Sequence, residues 1–144
     1  MPKPNPVVHF EMGYNDRERA KKFYSEVFGW KMQQMGEEMG NYVVAQTGET
    51  DDKGMLVKPG TINGGFYAKT ADPSSHAPSF VIAVDDVHQA MKDVVAAGGK
   101  VMGAMGKDGS SKMEPDEIPG IGLWISMQDT EGNRFSLLQP KAMQ

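Results

Sequence analysis

One pattern, written twice, constrains this chain more than any other feature: a strand, an amphipathic helix and three further strands, repeated at an offset of about 70 residues. The first copy opens with Val7-Val8-His9-Phe10-Glu11-Met12, whose aliphatic and aromatic content reads as a strand. Asn15 or Asp16 can cap the helix that follows, with Glu18 three residues after Asn15 as in a capping box. Ala20, Phe23, Tyr24, Val27 and Phe28 recur at steps of 3, 1, 3 and 1, which places them on one helical face. That spacing assigns Phe23, Tyr24 and Phe28 to the core. Gly29 ends the helix, because glycine accepts the left-handed cap conformation. Shorter strands are expected at about 30–35, 41–46 and 63–69, with a turn over 36–40. Residues 47–62 read as a loop with at most a short strand around Met55 to Val57, and 70–78 as a linker.

The second copy repeats the order. Residues 79–84 are a strand, and Asp85-Asp86 caps a helix with Gln89 three residues after Asp86. Val87, Ala90, Met91, Val94 and Val95 follow the same helical steps, and Gly98-Gly99 stops them. Lys100 to Met102 begins a strand, and a glycine-rich excursion over 103–120 follows. Strands over 123–127 and 134–138 close the copy around a turn at 129–133. Asp16 corresponds to Asp86, and Ala20 to Ala90. Each copy has one amphipathic helix and a half-apolar sheet. Such units place the helices on one sheet face and leave the other face to curl around a cleft.

Composition narrows the function. The chain has 144 residues, 39% hydrophobic and 24% charged, which suffices for one packed domain. A net charge of −4 supplies no broad field for nucleic acid or anionic lipid. With no cysteine, disulfides, thiolate metal sites and a cysteine nucleophile are excluded. No stretch approaches the ~18 apolar residues of a membrane helix. Met1 to Pro6 has no apolar core of a secretion signal. A cytoplasmic protein without nucleic-acid or membrane partners is the expectation.

Several runs resemble a known family. His9-Phe10-Glu11, Asn15-Asp16-x-x-Arg19-Ala20-x-x-Phe23-Tyr24 and Phe28-Gly29-Trp30 look like the opening of a vicinal-oxygen-chelate module. Val84-Asp85-Asp86-Val87 resembles the start of the second module, and Asp129-x-Glu131-Gly132-Asn133-Arg134-Phe135 its closing turn and strand. The resemblance is to the glyoxalase, bleomycin-resistance and dioxygenase superfamily, in its glyoxalase-like branch, and it spans residues 7–139. It implies an α+β fold: two tandem βαβββ modules form a curved mixed sheet around a cleft, with the helices on the outer face. Module 1 is expected over about 7–69 and module 2 over about 79–139, within one domain of 1–144.

In metal-dependent members four ligands come from four strands. Carried over by position, the first falls on His9, the third on Ser79 and the fourth on Ser136. The second falls near Gly64 to Tyr67, where no His, Glu or Asp stands. Serine hydroxyls are poor ligands for ions that favour imidazole and carboxylate. No cofactor is therefore expected, and a divalent ion on an incomplete ligand set is the alternative.

Strand alternation places Val7, His9 and Glu11 on one face and Val8, Phe10 and Met12 on the other. If Phe10 and Met12 pack on the helix, His9 and Glu11 look into the cleft as a base and the carboxylate that orients it. The same spacing also fits a histidine satisfied by a neighbour and a glutamate paired with a lysine. Tyr67 and Trp124 sit on strands, where each either contacts a ligand or packs in the core; with Ser79 and Ser136 they form the candidate substrate-binding set. His76 and His88 fall on polar, exposed positions. Gly106-Lys107-Asp108-Gly109-Ser110-Ser111-Lys112 lacks the spacing of a nucleotide-binding loop, and its segment reads as a flap or a plain solvated loop.

These residues suggest a lyase or isomerase acting on a small polar or carbonyl-bearing metabolite, with His9 as base and no usual metal site. The alternative is a non-catalytic protein that sequesters a small molecule, as bleomycin-resistance relatives do. The resemblance also implies a homodimer.

Overall fold

The computed structural model describes residues 3–105 and 111–141. In chain order the elements are β1 (Val7–Tyr14), α1 (Arg17–Phe28), β2 (Lys31–Gln34), β3 (Val43–Gln46), β4 (Asn63–Ala68), β5 (Ser79–Ala83), α2 (Val87–Ala96), β6 (Lys100–Met105), β7 (Ser111–Lys112), β8 (Asp116–Ile118), β9 (Gly122–Gln128) and β10 (Arg134–Pro140). They fall into two compact units. One is His9–Pro78; the other holds the described residues up to Val8 and those from Ser79 onward. Both are α+β; the first follows the βαβββ order read from the repeat, and the second follows it with two additional short strands, β7 and β8.

In the first unit the strands run β2-β3-β4-β1, with β4 parallel to β1 and the other pairs antiparallel. The α1 helix begins where Asp16 accepts the Arg19 N–H at 3.0 Å. It ends at Gly29, whose φ of 72° is the left-handed cap. Val43, Ala45 and Phe66 form the core, with Phe10, Met12, Tyr14, Tyr24, Trp30 and Met32 packed around them.

One expectation fails here. The inward stripe of α1 is Arg17, Ala20, Lys21 and Tyr24, still at helical spacing but rotated from the apolar stripe. Tyr24 stacks on Trp30 at 4.8 Å and meets Phe66 at 5.1 Å. With Trp30 closing that end of the core, Phe23 and Phe28 are left 52% and 57% exposed, not buried. No residue of α1 is fully buried, so aromatic contacts rather than deep burial hold it.

In the second unit β5 runs parallel to β10, and β10-β9-β6-β7 continue antiparallel. Asp86 caps α2 by accepting the Gln89 N–H at 3.1 Å. Val84, Val87, Ile125, Met127 and Leu137 are buried together, with Ala90, Met91 and Val94 of α2 packed against them. Each such fully buried side chain contributes roughly 1.5–3 kcal/mol.

The 103–120 stretch is less irregular than its glycines suggest. The register slips between Val101 and Gly103, which marks a bulge. Beyond it β7 pairs back onto β6, and β8 pairs with the first half of β9. Residues 106–110 of the Gly106–Lys112 run lie outside the described residues.

Candidate functional site

The alternation of β1 holds. Phe10 and Met12 pack with the core beside Tyr24 of α1, so His9 and Glu11 project from the other face. Parallel pairing sets His9 beside Asn63, Glu11 beside Gly65 and Gly13 beside Tyr67. Asn63 and Tyr67 therefore share the His9 face.

A residue that the sequence reading did not single out joins this group. Val43 and Ala45 of β3 turn toward α1, so Tyr42, one position earlier, falls on the His9 face. A single 3₁₀ turn at Glu37–Met39 delivers it, followed by Gly40 and Asn41 with φ of 66° and 58°. Two consecutive left-handed residues reverse the chain. The Asn41 carbonyl is then fixed by the Tyr14 hydroxyl at 2.9 Å.

The Tyr42 hydroxyl lies 3.1 Å from His9 Nε2 and donates to Glu11 Oε2 at 3.2 Å. Its ring can reach across the sheet because β4 has no side chain at Gly65. A Cβ there would run into Tyr42 Oη, Cζ and Cε1. The preceding Gly64 does the same for Phe10 on the opposite face. Paired glycines inside a strand were the one signal of this arrangement available in the sequence.

Burial sets the electrostatics. It lowers the pKa of His9, which favours the neutral imidazole. Burial also raises the pKa of Tyr42 well above the ordinary tyrosine value, and the Glu11 charge and hydrogen bond push it the same way. The phenol is held protonated, as a donor. Tyr67 adds to that upward push and gives its own hydroxyl to the Ser75 carbonyl at 3.1 Å.

The candidates of the second unit also share a face. Val81 and Ser126 both pair with Ser136, and Trp124 pairs with Leu138, so Ser79, Trp124, Ser126 and Ser136 all lie away from α2. Ser79 and Ser136 are buried and Trp124 is partly buried. Arg134 Nε donates to Ser126 Oγ at 2.8 Å on the same face.

The donor set does not suit a resident transition metal. The Tyr42 hydroxyl engages both His9 Nε2 and Glu11 Oε2, and Gly65 leaves the β4 position without a donor. Among the described residues no three His, Cys, Asp or Glu side chains converge. In the other unit, Ser79 and Ser136 carry neutral hydroxyls, which are poor ligands for such ions.

A groove of about 530 Å³, lined in part by Phe10, Met12, Trp30 and Ile62, opens on the α1 side of β1, away from His9. Its threonine hydroxyls donate within the chain, Thr61 to the Lys58 carbonyl and Thr47 to that of Ile62. The groove offers shape but little chemistry. His76 bonds the Thr70 carbonyl at 2.8 Å and is exposed, as is His88 on α2. Among the described residues no helix is long and apolar enough to cross a membrane.

Comparison with known proteins bears on the fold and the family. The family model for the Glyoxalase/Bleomycin resistance protein/Dioxygenase superfamily matches residues 7–137. A glyoxylase-like domain-containing protein of Didymella fabae is 29% identical over 133 residues, covering 91% of each chain. A variant of Streptomyces coelicolor methylmalonyl-CoA epimerase, solved with 2-nitronate-propionyl-CoA, superposes with a TM-score of 0.64 at 15% identity, over 96% of this chain and 99% of its own. A hypothetical protein of Bacillus halodurans C-125 gives 0.64 at 11% identity, over 99% of each chain. The fold is that of these structures, and the chain belongs to the Glyoxalase/Bleomycin resistance protein/Dioxygenase superfamily.

Proposed function

We propose that this chain is a glyoxalase-like isomerase or lyase that moves a proton on a small polar or carbonyl-bearing metabolite, with His9 as base and without the family's usual metal site. The observation that carries the reading is the connected set His9–Tyr42–Glu11 on one sheet face. A base must be unprotonated at the working pH, and burial of His9 favours that form. An isomerase is compatible with the fold shared with a methylmalonyl-CoA epimerase. Tyr67, Ser79, Trp124 and Ser136 are the proposed substrate contacts, each placed by its strand on the face away from its unit's helix.

The test is solvent deuterium incorporation. Panels of 2-oxo acids, hydroxyaldehydes and thioesters are incubated with the protein in heavy water, and exchange at the carbon next to the carbonyl is read by NMR. His9→Ala should slow the exchange by about 100-fold or more. Exchange that survives His9→Ala at the native rate ends the base assignment. A compound that raises thermal stability yet never exchanges would instead assign sequestration, the function of a binding protein.

The same reading includes a homodimer in the cytoplasm. Phe23, Val27 and Phe28 leave an apolar strip exposed on α1, which supports a contact with a second copy. Sedimentation at micromolar concentration should give a dimer, and a monomer overturns it. The absence of cysteine suits a reducing compartment.

A further inference from the structure

We propose that Tyr42 is a positioning residue: its hydroxyl, spliced between imidazole and carboxylate, fixes His9 in the tautomer that carries its proton on Nε2, so that Nδ1 is the atom that accepts a proton. The inference deepens the proposed function and rests on His9 being its base.

The number of protons on each group sets the tautomer. A phenol has one, and the Tyr42 hydroxyl donates it to Glu11 Oε2 at 3.2 Å. The same oxygen lies 3.1 Å from His9 Nε2 and can only accept there. Two acceptors facing each other make no hydrogen bond, so Nε2 is the donor. A neutral imidazole holds one proton, which leaves the lone pair on Nδ1. When Nδ1 takes a proton from substrate, Nε2–H becomes a stronger donor to an oxygen that Glu11 already polarises. The positive charge is thereby shared with the carboxylate through the phenol.

The sheet enforces the arrangement. His9 and Glu11 are two apart on β1 and therefore on one face, with a gap of about 6.7 Å between their Cα atoms along the strand. The phenol fills that gap, and it does so only because residue 65 is glycine. Gly65 is thus part of the same device: it admits the ring whose hydroxyl joins the two.

The experiment reads the tautomer directly and needs no substrate. Full-length protein with nitrogen-15 histidine is examined by long-range proton–nitrogen correlation near neutral pH. His9 should show a protonated Nε2 and an unprotonated Nδ1. Tyr42→Phe should erase that preference, moving both nitrogens toward an averaged position, while His76 and His88 stay in place. Gly65→Ala should produce the same shift with the hydroxyl still present. A proton on Nδ1 of native His9, or nitrogen shifts unmoved in Tyr42→Phe, overturns the proposal. The native spectrum alone decides it if a variant fails to fold. An Nε2–H tautomer together with exchange that survives His9→Ala would retain the positioning role and reject the catalytic one.

Discussion

The ring of Phe10 lies against the backbone of Gly64, so close that a Cβ at that position would penetrate Phe10 Cδ1, Cε1 and Cζ. On the other side of the sheet Gly65 stands in the same relation to Tyr42. Two neighbouring glycines therefore admit two aromatic rings, one into the core and one into the site. Gly64→Ala should destabilise the fold by about 1–3 kcal/mol through displacement of the Phe10 ring. Denaturant titration checks this, and a neutral result would mean that the ring has room to yield.

Stability should fall as the solution is acidified, in a manner traceable to His9. Its folded-state pKa lies below 6.5 because burial disfavours the charged ring. Below 6.5 the unfolded chain takes up a proton that the folded chain takes up only at lower pH. The stabilisation is present above that value and is lost as the pH drops toward the folded pKa. For one proton the slope cannot exceed about 1.4 kcal/mol per pH unit. Denaturation midpoints near pH 7 and about pH 5.5, compared with those of His9→Gln, should show a shallower acid loss in the variant.

The two helices should answer differently to truncation of apolar side chains near them. Ile125 is fully buried under α2, and Ile125→Ala should cost about 2–5 kcal/mol. Phe28 is mostly exposed on α1, and at concentrations where the chain is monomeric Phe28→Ser should change stability by no more than about 0.5 kcal/mol. A core-sized loss for Phe28→Ser would mean that the apolar stripe read from the sequence faces inward after all.

Asp129 organises the turn between β9 and β10. Its Oδ1 accepts the Glu131 and Asn133 N–H groups at 2.8 Å, and its Oδ2 accepts from the Asn133 amide at 3.0 Å. The bonds to Asn133 hold its pKa below the ordinary 3.8. Its contribution to stability is present above 3.8 and is lost as the pH falls through the lower folded value. Carbon-13 NMR should place the carboxyl titration midpoint under 3.8, and Asn133→Ala should return it toward that value.

Much of the fold was legible in the sequence. The Asp16 and Asp86 caps, the Gly29 stop, the doubled order of elements and the opposed faces of β1 all follow from contacts within a few residues. The site was only half legible. His9 and Glu11 could be named, but Tyr42 could not, because it stands 31 positions from Glu11 in the chain. The rotation of α1 was hidden for a related reason. Its apolar residues define a stripe, but Trp30 and Phe66, outside the helix, decide which edge of that stripe is covered.

The sequence by itself determined the two helices, their caps, the longer strands and the side of β1 on which His9 and Glu11 stand, since backbone geometry and nearest-neighbour hydrogen bonds dictate these locally. Only the tertiary structure decided that a phenol joins the imidazole to the carboxylate, that Gly65 makes room for it, and that Ser111–Lys112 and Asp116–Ile118 are strands. Those outcomes depend on strand pairing and side-chain volume between segments distant in the chain, and no local pattern encodes either.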